Sequence, residues 1–275
     1  MVSFRNDQFQ AVLTGMVLAD AISHGQLPWT LVATASPLAE LDQPPFPLSA
    51  LAVTADHWCH TIAAQLSTRA GNMALSAWAS YLTEDVLLTL LSQLPQHLLN
   101  LDQMHAFPGT ASDMAQPPAI AEAIEVRWQR CLLAAMHHDR TQLEQISLAL
   151  AAVGRDWTAA EQGLLTAIDH VTLAHGDFQL ALGQSLQAQT APIGTPIVTG
   201  ILSAAWGGMA SLPGAYQQSL IAPEPALCAW LQERWHLTDR CTLQHWSQGL
   251  WLRWLGAEAS GGAPQLILTV QPRPL

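Results

Sequence analysis

The sequence predicts an all-α protein, built as one compact multi-helix domain with a Trp-rich C-terminal extension. Two observations predict it: apolar residues recur at spacings of three and four along nearly the whole chain, and runs of alternating apolar and polar residues are scarce. A third sets the scale. Half of the 275 residues are hydrophobic and only 11% are charged, so there is ample apolar surface for a large core.

The first helix is expected from Asn6 or Asp7, either of which can cap it, to Ser23, with His24-Gly25 ending it. Its Gly15, Ala19 and Ser23 lie four apart and form one smooth face. Pro37 to Pro47 holds four prolines in eleven residues and must be a loop, because proline removes a donor and fixes the backbone. Helices are then expected over Ala50 to Leu66, Ala74 to Tyr81, Thr83 to Leu99, Ala119 to His137, Arg140 to Val153, Thr158 to Ala174 and Asp177 to Gln187. Thr158 with Glu161 has capping-box spacing, and Asp177 follows a glycine as an N-cap should. Between Phe107 and Pro118 a Pro/Gly/Ser/Thr-rich stretch marks a long loop, a form that often borders a site. After Pro225 come two Trp-rich helices, a flexible link over Ala257 to Pro264, and a short strand at Gln265 to Val270. The division expected is 1–222 for the main helical domain and 223–275 for Trp-rich helices and a tail that pack on it or extend from it.

Charge and composition exclude several classes. All ten basic residues are Arg, and they face 21 acidic ones for a net charge of -11, so a nucleic-acid partner is not expected. Arg127, Arg130, Arg140 and Arg155 read as a solvated helix face. Cys59, Cys131, Cys228 and Cys241 form no Cys-x-x-Cys pair, which suggests neither a zinc ribbon nor a disulfide framework. No cleavage-site pattern follows the first residues, and a cytoplasmic location is expected. From Phe178 to Pro223 there is no charged residue, but Pro192, Pro196 and Pro213 cut the apolar stretch too short for a span. A helix buried in the protein core is expected there instead of a membrane segment.

That helix carries Gly200, Ala204 and Gly208 at intervals of four, as the first carries Gly15, Ala19 and Ser23. Two smooth faces allow helix axes to approach closely, so both are expected at the centre of the domain. At these segments the sequence resembles the ADP-ribosylglycohydrolase family. The opening Gly15-Met-Val-Leu-Ala19-Asp20-Ala21 is similar to the family's Gly-x-x-x-Gly-Asp-Ala, with Ala19 for the second Gly. Thr54-Ala55-Asp56-His57 stands where the family has Thr-Asp-Asp-Thr, and Phe178 to Pro213 is similar to its closing helix. The resemblance implies an all-helical fold with a binuclear metal centre that hydrolyses the glycosidic bond of ADP-ribose.

The metal-binding carboxylates implied by the resemblance are largely replaced. Ala191-Pro192-Ile193-Gly194 stands in place of Asp-Thr-Asp-Thr, and hydrocarbon side chains offer no oxygen to a hard cation. Ala55 removes another carboxylate, and the Glu expected after the first helix falls near Gln26 or Leu27. The resemblance therefore implies a degenerate member that binds a ligand or partner, with no cofactor; the alternative is a hydrolase with a rebuilt site, which would need Mg or Mn. An ADP-ribose-like small molecule and a protein partner are the ligands considered.

Candidate chemistry lies in few places. Asp56, His57 and His60 form the densest polar cluster on an expected helix and are the candidate ligand-binding residues. His137, His138 or Asp139 could complete a tetrahedral site with them, or the histidines are simply neutral hydrogen-bonded helix residues. Asp20, amid apolar residues, is a candidate catalytic carboxylate beside Asp56, or a structural one partnered with Ser23 or a neighbouring segment. Five of the eleven tryptophans, Trp230, Trp235, Trp246, Trp251 and Trp254, fall in one C-terminal segment and serve either core packing or a protein interface.

Overall fold

The computed structural model describes residues 6–28, 94–99, 101, 124–152, 158–188, 191–192, 194–235, 237 and 240–254. These residues form helices α1 Asn6–Ser23, α2 Leu94–Leu99, α3 Ile124–Met136, α4 Arg140–Ala152, α5 Ala159–Leu173, α6 Phe178–Gln187, α7 Thr195–Gly207, α8 Gly214–Ile221, α9 Pro225–Trp235 and α10 Arg240–Trp254. A 3-10 turn, Met209–Ser211, links α7 to α8. No strand occurs among the described residues. The loops expected at Pro37 to Pro47 and Phe107 to Pro118, the helices at Ala50 to Leu66 and Ala74 to Tyr81, and the strand at Gln265 to Val270 lie outside them.

The axis of the fold is the pairing of α1 with α7, and small residues decide it. A Cβ placed on Gly15 would lie 2.9 Å from the Gly200 carbonyl oxygen and would collide with the Ala204 methyl. One placed on Gly200 would lie 3.0 Å from the Gly15 carbonyl and collide with Ala19. The helices therefore meet backbone to backbone and run antiparallel, on the two faces the spacing singled out. Helix α1 is buried on every side: Gln8, Phe9 and all of Ala11 to Ile22 are covered. That explains why the helix is apolar all round rather than on one stripe.

The other helices cover this pair. Helices α3, α5 and α6 pack on α7, α4 lies over α3 and α5, and α10 packs on both α1 and α2. Phe9, Trp128, Phe178 and Trp235 are the largest fully buried side chains. Helices α9 and α10 are thus applied to the core: Trp246, Trp251 and Trp254 are half-buried against it, and Trp251 meets the Phe9 ring edge-on at 5.5 Å.

Local chemistry sets the helix ends. Thr158 and Glu161 form the reciprocal capping box, with Glu161 N–H donating to Thr158 Oγ1 at 3.2 Å and Thr158 N–H to Glu161 Oε2 at 3.0 Å. Asp177 Oδ1 accepts from Leu180 N–H at 2.8 Å and caps α6. Gly176, at φ 76°, makes the turn before it, and a side chain there would strike the Trp206 indole. One expectation is corrected. Arg127 is not on a solvated face: it is 4% exposed, and its guanidinium donates to Glu161 at 3.1 Å, while Arg140 is exposed and bonds Glu144. A buried guanidinium must be paired, and the capping carboxylate supplies the partner.

Among the described residues no helix is long and apolar enough to cross a membrane. The stretch bounded by prolines is α7, with Pro196 in its first turn, where the missing N–H costs nothing.

Candidate functional site

Among the described residues, polar side chains gather near each end of α1. Near its C-terminal end lies Asp20, whose side chain has no exposed surface. Trp235 Nε1–H donates to Asp20 Oδ2 at 2.9 Å, and His24 Nδ1 lies 3.2 Å from Asp20 Oδ1. The same imidazole nitrogen is 2.9 Å from the Asp20 carbonyl, one helical turn back. Trp230 stands beside the His24 ring at 6.1 Å. The partner of Asp20 is thus a neighbouring segment, α9; the Ser23 hydroxyl bonds the Ala19 carbonyl instead. A buried carboxylate held this way joins α1 to α9, and its oxygens are occupied by protein groups.

At the N-terminal end, α1 meets the C-terminal ends of α3 and α7 around a cleft of about 270 Å³. Asp7, Gln8, His137, His138, Trp206 and Gly208 are among its lining. Gln8 fixes one wall by donating its amide to the Met136 carbonyl at 2.8 Å. His138 ends α3 at φ 55°, a backbone conformation that favours glycine, with its N–H on the Ala135 carbonyl and Asp139 N–H on that of Ala134. From there its ring meets the Trp206 indole edge-on at 5.7 Å. Opposite, the Asp7 carboxylate leans on Gly208, where an added Cβ would lie 3.2 Å from Asp7 Oδ2. A non-glycine residue in the left-handed region costs about 1 kcal/mol or more and points to a constraint on that side chain.

The sequence candidates distribute as follows. Asp56, His57 and His60 lie outside the described residues. His137 and His138 line the cleft, whereas Asp139 caps α4 by accepting from Gln142 N–H at 3.0 Å. Trp235 is 1% exposed and belongs to the Asp20 bond; Trp251 and Trp254 stack at 5.1 Å over Phe9, and Trp246 packs nearby on the core. Asp7, His24, Trp206 and Gly208 were not identified as a site. In the sequence Asp7 reads as a helix cap and Gly208 as the last of a small-residue series, and neither spacing links the two.

Several of the positions that the resemblance makes metal ligands are among the described residues. Asp20 is engaged by two side chains, Ala191 precedes α7, Leu27 is buried and Gln26 is neutral. Among the described residues no group of three or more His, Cys, Asp or Glu side chains could hold a metal ion. Burial lowers two further histidines. His97, 4% exposed and 2.6 Å from the Gln129 amide, is pushed down to about 4, and His170 is also lowered by burial, against an opposing pull from the Asp169 carboxylate. Searches for related proteins add no direct link: no family model, curated protein or solved structure matches the chain.

Proposed function

We propose that the chain is a degenerate ADP-ribosylglycohydrolase-like protein that binds a ligand without hydrolysing it, and that the cleft at the N-terminal end of α1 is where it binds. The observation that carries this reading is the state of Asp20. The motif that resembles the family's opening keeps its aspartate, yet that carboxylate is spent on Trp235 and His24, in a place no solvent reaches. A carboxylate so held stabilises a helix junction and is poorly placed to act as base or ligand. The cleft, in contrast, gathers a carboxylate, two imidazoles and an indole around accessible space.

The test is metal content of the purified protein by mass spectrometry, with thermal melting in magnesium, manganese and ADP-ribose. Retention of less than one metal per chain and no rise in melting temperature with either cation are the expected results. Two tightly held metals per chain, together with release of ADP-ribose from a modified substrate, would return the chain to the hydrolases. A rise with ADP-ribose alone would keep the binding reading and assign the ligand to the family's substrate class.

A further inference from the structure

We infer that the cleft takes a small organic cation through a primary ammonium group. This rests on the reading that the cleft binds a ligand, and it names the class. Three features converge on positive charge. Asp7 supplies a full negative charge at the mouth, and its exposed side chain leans across to Gly208 rather than into the core. Two helices, α3 and α7, end at the cleft, and each helix C-terminus carries roughly half a negative charge on its last carbonyls. Trp206 and Gly207 belong to the same lining as Asp7, and their carbonyls receive no hydrogen bond among the described residues, as expected of the last carbonyls of a helix. The Trp206 indole, half-buried on Gly176 and His138, adds an aromatic wall of the kind that attracts cations.

Opposing charges are few. The N-terminus of α1 contributes roughly half a positive charge, which Asp7 exceeds. His137 and His138 are the titratable groups of the lining besides Asp7, and no arginine belongs to it. A diphosphate would meet the Asp7 carboxylate at close range. Size points the same way, since about 270 Å³ is smaller than the roughly 300–1,000 Å³ typical of sites for drug-sized molecules. A divalent metal ion would find a single carboxylate where hard cations take several oxygen ligands. A primary ammonium, with three donors on one atom, matches one carboxylate flanked by carbonyl oxygens.

The experiment is an amide-resolved NMR titration of the labelled full chain with butylammonium, tetramethylammonium, acetate and ADP-ribose. Butylammonium should shift Gly207, Gly208 and the Trp206 indole saturably, with a dissociation constant on the order of 1 mM. Tetramethylammonium, which has no N–H to donate, should bind at least about tenfold more weakly. Asp7→Asn should weaken butylammonium by about tenfold or more, and Asp7→Glu should restore it. Unchanged affinity in Asp7→Asn, or equal binding of tetramethylammonium, overturns the assignment. If acetate or ADP-ribose shifts the cleft amides and butylammonium does not, the cation is wrong while the binding reading survives. If none of the four shifts them, both fall.

Discussion

Helix α1 carries a carboxylate near each end, and the two have opposite fates. Asp20 is sealed by Trp235 and His24, whereas Asp7, about 20 Å away along the axis, stays exposed at the cleft. The difference lies in what each end meets. The C-terminal end is closed by α9, which brings an indole donor of matching geometry; the N-terminal end faces two helix C-termini, whose last carbonyls are acceptors, and among the described residues no side-chain donor reaches the Asp7 carboxylate. A carboxylate without a donor stays in water, and the space around it stays open.

The largest effect should come from breaking the seam that holds both ends in place. Gly200→Val would drive two methyl groups into the Ala19 side chain and the Gly15 backbone, and should cost about 4 kcal/mol or leave the chain unfolded, as read by urea denaturation. Asp20→Ala comes next, at about 3 kcal/mol, because the buried Trp235 N–H loses its acceptor and a cavity opens. If Asp20→Ala melted like the wild type, the closed end would not be the structural junction described.

The contrast extends to histidines. His97 is buried where α2 packs on α10, and its folded value of about 4 lies below the 6.5 of an unfolded histidine. The fold therefore favours the neutral ring. Its contribution to stability is complete above about pH 6.5 and is lost as pH falls toward 4, about 2 kcal/mol of it by pH 5. Denaturant midpoints measured from pH 7 to 5 should fall accordingly, and His97→Gln should flatten that slope. The smallest effect is expected at the open end: Asp7→Ala should change stability by less than about 1 kcal/mol, since the side chain is exposed and its charge gains mainly from the N-terminal helix dipole. A larger loss would mean that Asp7 is as structural as Asp20.

The closed half of this comparison was partly legible in the sequence, and the open half was not. The starts of α5 and α6 follow from local capping chemistry at Thr158 and Asp177, and the α1–α7 seam follows from small residues spaced by four. Asp20 was recognisable as a carboxylate in need of a partner, but its donor is 215 positions away, and no spacing rule reaches so far. Arg127 was misread for the same reason, because Glu161 answers it from another helix. The cleft is made by three helix ends meeting, and helix ends are set next to one another by tertiary packing alone.

The seam also bears on how the chain is made. Helix α1 is buried over most of its surface and is synthesised before α7, yet the small-residue face of α7 that completes its cover arrives only from residue 195 onward. At ribosomal rates of about 5–20 residues per second, that leaves α1 without its closest neighbour for roughly ten seconds or more. During that interval a largely apolar helix waits for its mate, so the nascent chain should engage chaperones through residues 6–23 and release them once α7 has emerged.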